Sequence, residues 1–115
     1  MLKRKTYSCG VEATLALIAG KWKPLIIWNL KKETMRFGAL KRAIPGISEK
    51  MLIQELKQFQ LDGIVRRKDF REVPPRVEYS LSAFGLDLAE TLEPLCDWGA
   101  KHLNRISKLP SQNSD

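Results

Sequence analysis

Three polar side chains in the segment ISEKMLIQELKQFQLDG, residues 47–63, have the types and spacing needed to contact DNA. Lys50, Gln54 and Lys57 lie three or four residues apart, so they share one face of a helix. Glutamine can pair with adenine through two hydrogen bonds, and lysine can donate to guanine. Two leucines and a phenylalanine fall on the opposite face. The segment therefore predicts a helix that packs on one side and is free to read a DNA groove on the other.

The ends of this helix are marked by residues that favour helix termini. Ser48 is a good N-cap, Glu49 sits favourably in the first turn, and Gly63 suits a left-handed C-terminal cap. The N-terminal residues of a reading helix penetrate a groove furthest, so Ser48 joins Lys50 and Gln54 as a predicted base contact. For each of them the alternative is an ordinary solvated helix face.

A proline-stiffened loop follows the helix in FREVPPRVEY, residues 70–79, with Arg71 at one end and Arg76 at the other. The flanking segments IVRRKDF and RVEYSL read as strands, and proline suits the turn between them because it cannot donate to a sheet ladder. A rigid loop loses less entropy when it docks. We expect a basic β-hairpin, or wing, that touches a phosphate backbone or enters a minor groove.

The charge of the chain favours a polyanionic partner. Its net charge is +7 with a pI near 9.7. Residues 1–82 contain 17 basic and 8 acidic side chains, whereas residues 83–115 contain 3 basic and 5 acidic ones. This asymmetry favours a dedicated binding face in the first part of the chain. No apolar run is long enough to cross a membrane and MLKRKTYSCG lacks the apolar region of a secretory signal, so we expect a cytoplasmic protein.

The length of the chain fits a single domain spanning residues 1–115. Within it the pattern predicts a first helix at 9–20, a helix-turn-helix and wing at 21–82, a long final helix at 83–107 and a polar, disordered tail at 108–115.

The predicted helix that precedes the reading helix, about 37–44, presents Lys41 and Arg42 outward before Pro45 and Gly46 end it. These two side chains are assigned to phosphates, together with Lys57 and the two wing arginines. Phosphate contacts position a protein on DNA but carry no sequence information.

The final helix has an apolar stripe made of residues at helical spacing: Phe84, Leu88, Leu92, Leu95, Gly99, Leu103 and Ile106. Pro94 should bend this helix or divide it in two. The stripe either closes the domain's own core or packs against another chain.

The sequence offers little chemistry for an enzyme or a metal site. Cys9 and Cys96 have no metal-ligand spacing with His102, and no glycine-rich phosphate loop or catalytic grouping occurs. We therefore predict no enzyme, no cofactor and no metal. An RNA-binding module would present stacking aromatics on an exposed sheet, but this hairpin offers only Phe70 and Tyr79, and the strand pattern points Tyr79 inward.

The predicted fold class is α+β, mainly α: a winged helix-turn-helix with a two-stranded wing and N- and C-terminal dimerisation helices. The segments GKWKPLIIWNL, RFGALKRAIPGISEKMLIQELKQFQLDGIVRR, EVPPRVEYSLSAFG and LCDWG resemble the HxlR family of bacterial winged-helix transcriptional regulators, and the likeness runs from about Cys9 to Leu103.

The resemblance implies a homodimer that binds a palindromic operator in double-stranded DNA. The dimer interface is then expected at Leu88, Leu92, Leu95, Trp98, Gly99 and Leu103, and the DNA-binding residues at Ser48, Glu49, Lys50, Ile53, Gln54, Lys57, Lys41, Arg42, Arg71 and Arg76.

The family also contains redox sensors with a cysteine just before the first helix, the place that Cys9 occupies. A thiol at a helix N-terminus near Lys3, Arg4 and Lys5 can have a lowered pKa and react with an oxidant or electrophile. The chain departs from the usual pattern in having Gly10 after that cysteine. Two alternatives stay open: a redox-responsive regulator, and a basic nucleic-acid-binding or architectural module without redox control.

Overall fold

The computed structural model describes residues 6–112. Its elements, in chain order, are α1 Gly10–Ile18, α2 Lys23–Lys32, β1 Met35–Arg36, α3 Phe37–Ala43, α4 Glu49–Leu61, β2 Val65–Asp69, β3 Val77–Leu81, α5 Ala83–Glu90, α6 Leu92–Lys101, α7 Leu103–Ser107 and a 3-10 helix at Pro110–Gln112. The architecture is a winged helix-turn-helix, as predicted.

The core forms where α2, α3 and α4 pack beneath the small sheet. Ile26 and Ile27 of α2 are fully buried, and α4 contributes Leu52, Leu56 and Phe59. The predicted apolar face of α4 is confirmed. Burying a large apolar side chain is worth roughly 1.5–3 kcal/mol, so these residues fix α4 against the core and leave its other face to solvent.

The turn between α3 and α4 determines where α4 begins. Ile44 and Ile47 are buried on either side of it, and Gly46 has a φ of +90°, a conformation that side chains other than glycine rarely adopt. The Ser48 hydroxyl oxygen accepts a hydrogen bond from the Met51 N–H at 3.1 Å. The predicted N-cap is therefore confirmed.

The sheet has three antiparallel strands in the order β1-β3-β2. The two-stranded wing of the prediction is correct for β2 and β3, but Met35 and Arg36 add a third strand by pairing with Tyr79 and Glu78. A strand of two residues is too short to show the alternation on which strand prediction depends.

The predicted final helix at 83–107 is divided into three. The chain breaks at Thr91 and again at His102. Pro94 lies in the first turn of α6. Backbone N–H groups in a first turn have no helical partner, so proline is tolerated there and the break comes before it.

This division changes the environment of the residues predicted for the dimer interface. Leu88 and Leu92 are 9% and 7% exposed because the break turns them into the core of their own chain. Leu95, Trp98 and Leu103 stay exposed.

The junction of β3 with α5 is held by the Ser82 side chain. Its hydroxyl donates to the Gly63 carbonyl at 2.6 Å and accepts from the Gly85 N–H at 3.0 Å, as expected of an N-cap. A Cβ on Gly85 would lie 2.2 Å from the Ile64 carbonyl oxygen, so only glycine allows α5 to approach this closely. The junction therefore joins α5 directly to the end of the reading helix.

The predicted disordered tail requires a partial correction. Pro110–Gln112 form a 3-10 helix, and residues 113–115 lie outside the described part of the chain. Among residues 6–112, no helix combines the length and apolarity that crossing a bilayer requires.

Candidate nucleic-acid interface

The outward face of α4 carries the side chains predicted to read DNA. Lys50, Gln54 and Lys57 are exposed, and Ile53 lies beside them with 39% of its surface accessible. Glu49 is exposed in the first turn. The geometry thus places the predicted base-contact residues on one accessible face, as the helical spacing requires.

Ser48 has two roles to reconcile. Its hydroxyl oxygen already accepts the Met51 N–H, which stabilises the start of α4. The hydroxyl proton remains available to donate to a base or phosphate. Ser48 can therefore cap the helix and contact DNA at once.

Basic side chains flank α4 on both sides. Lys41 and Arg42 are exposed in the last turn of α3, as predicted. On β2, the successive residues Arg66, Arg67 and Lys68 are also exposed. These three were not predicted as site residues, although three consecutive basic residues beside the loop were a signal that could have identified them.

The register of the sheet arranges these charges on its outward face. Lys68 and Arg36 both lie directly opposite Glu78, and directly paired residues share a face. The outward face therefore carries the basic residues Arg36, Arg66 and Lys68, and the acidic Glu78 lies between Arg36 and Lys68.

Arg71 lies exposed at the tip of the wing. Its φ of 54° is unusual for a residue other than glycine. The Asp69 carboxylate accepts a hydrogen bond from the Arg71 N–H at 2.8 Å and so stabilises this conformation. Among residues 6–112, no acidic side chain forms an ion pair with Arg71, so its guanidinium is free to meet a phosphate.

Arg76, predicted as a phosphate contact, makes its described contacts within its own wing. Its guanidinium carbon lies 3.7 Å from the centroid of the Phe70 ring. Its nitrogens lie 3.3 Å from Glu78 Oε2 and 3.7 Å from Glu72 Oε1. The charge is already balanced inside the wing, and sequence alone could not show this because the pairing depends on how the loop folds back.

The wing follows α4 without a flexible linker. Gly63, with a φ of +73°, ends the helix as predicted, and the Ile64 N–H donates to the Phe59 carbonyl at 2.9 Å. Ile64 is fully buried. The reading helix and the basic hairpin are consequently held in one fixed relation, with a helix suited to the major groove and a ribbon beside it.

The family described as HxlR-like helix-turn-helix matches residues 17–107 of the chain. The chain belongs to this family. It is thus a transcriptional regulator with a DNA-binding helix-turn-helix, and not an enzyme.

Three similar proteins illustrate the extent of the likeness. The HTH-type transcriptional regulator YtcD of Bacillus subtilis strain 168 is 45% identical over 105 residues, which cover 91% of this chain and 83% of YtcD. The redox regulator HypR in its reduced form superposes with a TM-score of 0.82 at 35% identity, covering 88% of this chain and 100% of that one. Diamide-treated YodB from B. subtilis gives a TM-score of 0.69 at 30% identity, covering 84% and 96%.

In this HxlR-like regulator, Cys9 lies exposed at the N-cap of α1. Its sulfur makes no fully formed capping hydrogen bond. The backbone N–H groups of Glu12 and, to a smaller extent, Val11 nevertheless favour the thiolate and lower the pKa of the Cys9 thiol. The basic residues Lys3–Lys5, proposed to help, lie outside the described residues.

Cys96 is exposed as well and lines an apolar groove between α1, α2 and α6. The groove has a volume of about 540 Å³ and is walled by Leu15, Leu25, Trp28 and Leu95 among others. Cys96 is therefore at a surface and not inside the core of the single chain.

We expect Cys9 to alkylate at a lower pH than an ordinary thiol. In a Cys96→Ser chain, the rate of reaction with iodoacetamide should rise with pH through a midpoint below that of an ordinary cysteine thiol, because the thiolate is the reacting species and the helix amides lower the pKa of Cys9. The measurement is the rate across a pH series. The same protein unfolded in urea is the control, since α1 is then absent and the midpoint should return to the ordinary value. Identical midpoints in both states would contradict the prediction.

Proposed function

We propose that the chain is a homodimeric, sequence-specific regulator that binds a palindromic operator and responds to oxidants or electrophiles through Cys9. The observation that carries the DNA-binding part is the division of α4 between a buried apolar face and an exposed face of Lys50, Gln54 and Lys57. Such a regulator works where the chromosome is, in the cytoplasm.

Each exposed side chain supplies a definite contact in this proposal. Gln54 pairs with an adenine edge, Lys50 donates to guanine, and Ser48 donates from the helix start. Lys57 and Arg71 neutralise phosphates on either side of the groove. Lys41, Arg42 and the basic run of β2 extend the same positive surface.

Replacing Gln54 and Lys57 separately should distinguish base reading from phosphate binding. Gln54→Ala should reduce discrimination at one base pair by about 1 to 3 kcal/mol, because a two-bond contact is lost. Lys57→Ala should weaken binding to all sequences and lower the slope of log affinity against log salt concentration by about one. Fluorescence anisotropy on matched and single-mismatch duplexes at several salt concentrations measures both. Unchanged affinity and slope in the two variants would refute the assigned face.

The homodimer is supported by apolar side chains that the single chain leaves uncovered. Leu95, Trp98 and Leu103 are 64%, 62% and 64% exposed, and Val11 of α1 is 68% exposed. A patch of this kind on a small domain is typical of an interaction surface. Two-fold pairing would bury it and present two copies of α4 about 34 Å apart, the spacing of successive major grooves.

Charge introduced into this patch should separate the protomers. Trp98→Glu is expected to shift the mass in sedimentation equilibrium from dimer towards monomer, because an unpaired carboxylate is costly to bury. Leu61→Glu is the matched control: Leu61 is 81% exposed on α4, outside the patch, and the variant should keep the mass of the wild type. Circular dichroism reports whether each variant folds. A folded Trp98→Glu protein of unchanged mass would contradict the proposed interface.

Redox control is supported by the exposure of Cys9, the lowered pKa of its thiol and the likeness to the redox regulator HypR. Oxidation would begin at the Cys9 thiolate, which adds to the N=N bond of diamide; the Cys9 thiol of a second chain then displaces the hydrazine, so that a disulfide forms and diamide is reduced. A quinone would instead add to the sulfur as an electrophile and leave a thioether. The alternative is a constitutive DNA-binding protein without a sensor.

Diamide should change operator binding only when Cys9 is present. A Cys96→Ser chain is expected to respond, whereas Cys9→Ser should bind alike with and without the oxidant. The response should be faster at higher pH, following the thiolate fraction. A gel shift on the DNA upstream of its own gene measures it, with dithiothreitol as the reversal. Equal responses of the two variants would remove Cys9 as the sensor and favour the constitutive alternative.

A further inference from the structure

The wing contains a cluster of four side chains, Phe70, Glu72, Arg76 and Glu78, whose contacts are made inside the hairpin. The Phe70 N–H donates to the Arg76 carbonyl at 2.9 Å, which closes a loop of five residues, 71–75. We infer that Arg76 is a positioning residue: it holds this loop in the shape that presents Arg71 and Val73 to DNA, and it does not itself bind a phosphate. The inference rests on the proposed function, in which the wing touches DNA.

The first support is the stacking of Arg76 on Phe70. The guanidinium carbon lies 3.7 Å above the ring centroid, well within the range of a cation–π contact. Lys68 Nζ also approaches this ring, at 4.5 Å. Phe70 is thus occupied by cations of its own chain and is not an open platform for a base.

The second support is the pairing of Arg76 with two carboxylates. Glu72 belongs to the loop and Glu78 to β3, so the guanidinium joins the loop to the strand. Of the described side chains, Arg76 carries the one buried nitrogen or oxygen that lacks a hydrogen bond, its Nε. That Nε lies 3.3 Å from Glu78 Oε2 at an angle that makes an ion pair and not a hydrogen bond. About a third of the side chain, 33%, stays exposed, but the stacking on Phe70 and the two carboxylates orient the guanidinium towards its own hairpin.

The third support is what the cluster leaves free. Arg71, fixed by the Asp69 carboxylate, is exposed, and Val73 at the tip is 99% exposed. An apolar tip with an unpaired arginine beside it suits the floor of a minor groove and its flanking phosphates. The shape of the loop therefore decides whether these two residues meet DNA.

A charge-conserving substitution provides the first test. Arg76→Lys keeps the positive charge but lacks the planar, rigid fork that stacks on Phe70 while it meets two carboxylates at fixed angles. If Arg76 positions the loop, this substitution should weaken DNA binding roughly three- to tenfold. That is the loss expected when a cation–π contact and a partly buried ion pair are weakened. A simple phosphate contact would be largely retained by lysine. The probe is a duplex selected from a random pool by the wild-type protein.

A charge-removing substitution gives results of opposite sign for the two roles. Glu78→Gln takes a negative charge away from the DNA side of the protein, so electrostatics alone predict tighter binding. Because it releases Arg76, the positioning role predicts weaker binding, again by roughly three- to tenfold. Glu90→Gln, on α5 outside the wing, removes the same charge and should bind at least as tightly as the wild type.

Two further measurements keep the outcome clear. The Arg76 Nε proton should exchange slowly with water in the wild type and fast in Glu78→Gln, and an unchanged thermal midpoint shows that the variants fold. Wild-type affinity of Arg76→Lys, or tighter binding by Glu78→Gln, would overturn the positioning role.

Lys57→Ala reports on α4 separately, so the proposed function stands if that variant alone loses affinity. If selection returns no preferred sequence, operator recognition is wrong, and the same variants on an unselected duplex still decide the role of Arg76.

Discussion

The burial of one face of α4 is the constraint on which the DNA-binding surface depends. Leu52, Leu56 and Phe59 are almost completely enclosed, so the helix cannot rotate about its axis without exposing them to water. A rotation that exposed even one would cost roughly 1.5–3 kcal/mol, a large part of the stability of a small domain. The polar face points outward because the apolar face must pack against the core. No separate interaction is needed to orient Lys50 or Gln54.

The positive charge of the chain is a poor guide to which residues meet DNA. A cation contributes to phosphate binding only if its charge is not already balanced by the protein. Arg76 is balanced by Glu72 and Glu78, whereas Arg71, two positions from Asp69, uses only its backbone N–H there. Two arginines at the ends of one loop thus look equivalent in the sequence and differ in the fold.

The sequence predicted those features that depend on a long repeated pattern or on a residue with one strong preference. The thirteen residues of α4, its Ser48 cap and its Gly63 terminus follow from periodicity and from local backbone chemistry. The burial of Leu88 and Leu92 in their own chain was not predicted, because helical spacing cannot show whether a stripe faces its own core or another chain. The two residues of β1 gave no pattern, and the contacts of Arg76 arise from a loop closure that no local preference specifies.

The position of Cys9 matters because it begins α1, a helix in which one residue, Ile18, is buried. Within α1, Ile18 is buried in the core, Leu17 packs against it, and Leu15 lines the apolar groove between α1, α2 and α6. α2 is in turn tied to α6 by the Lys31–Glu93 ion pair, and Trp22 just before it packs 3.6 Å from the Cβ position of Gly46 in the turn that starts α4. α2 also packs against β3, α3 and α5, so it touches both the wing and the helix before α4. Because close-packed cores transmit displacement instead of absorbing it, a shift of α2 would be felt both at the wing strand β3 and at the turn that starts α4.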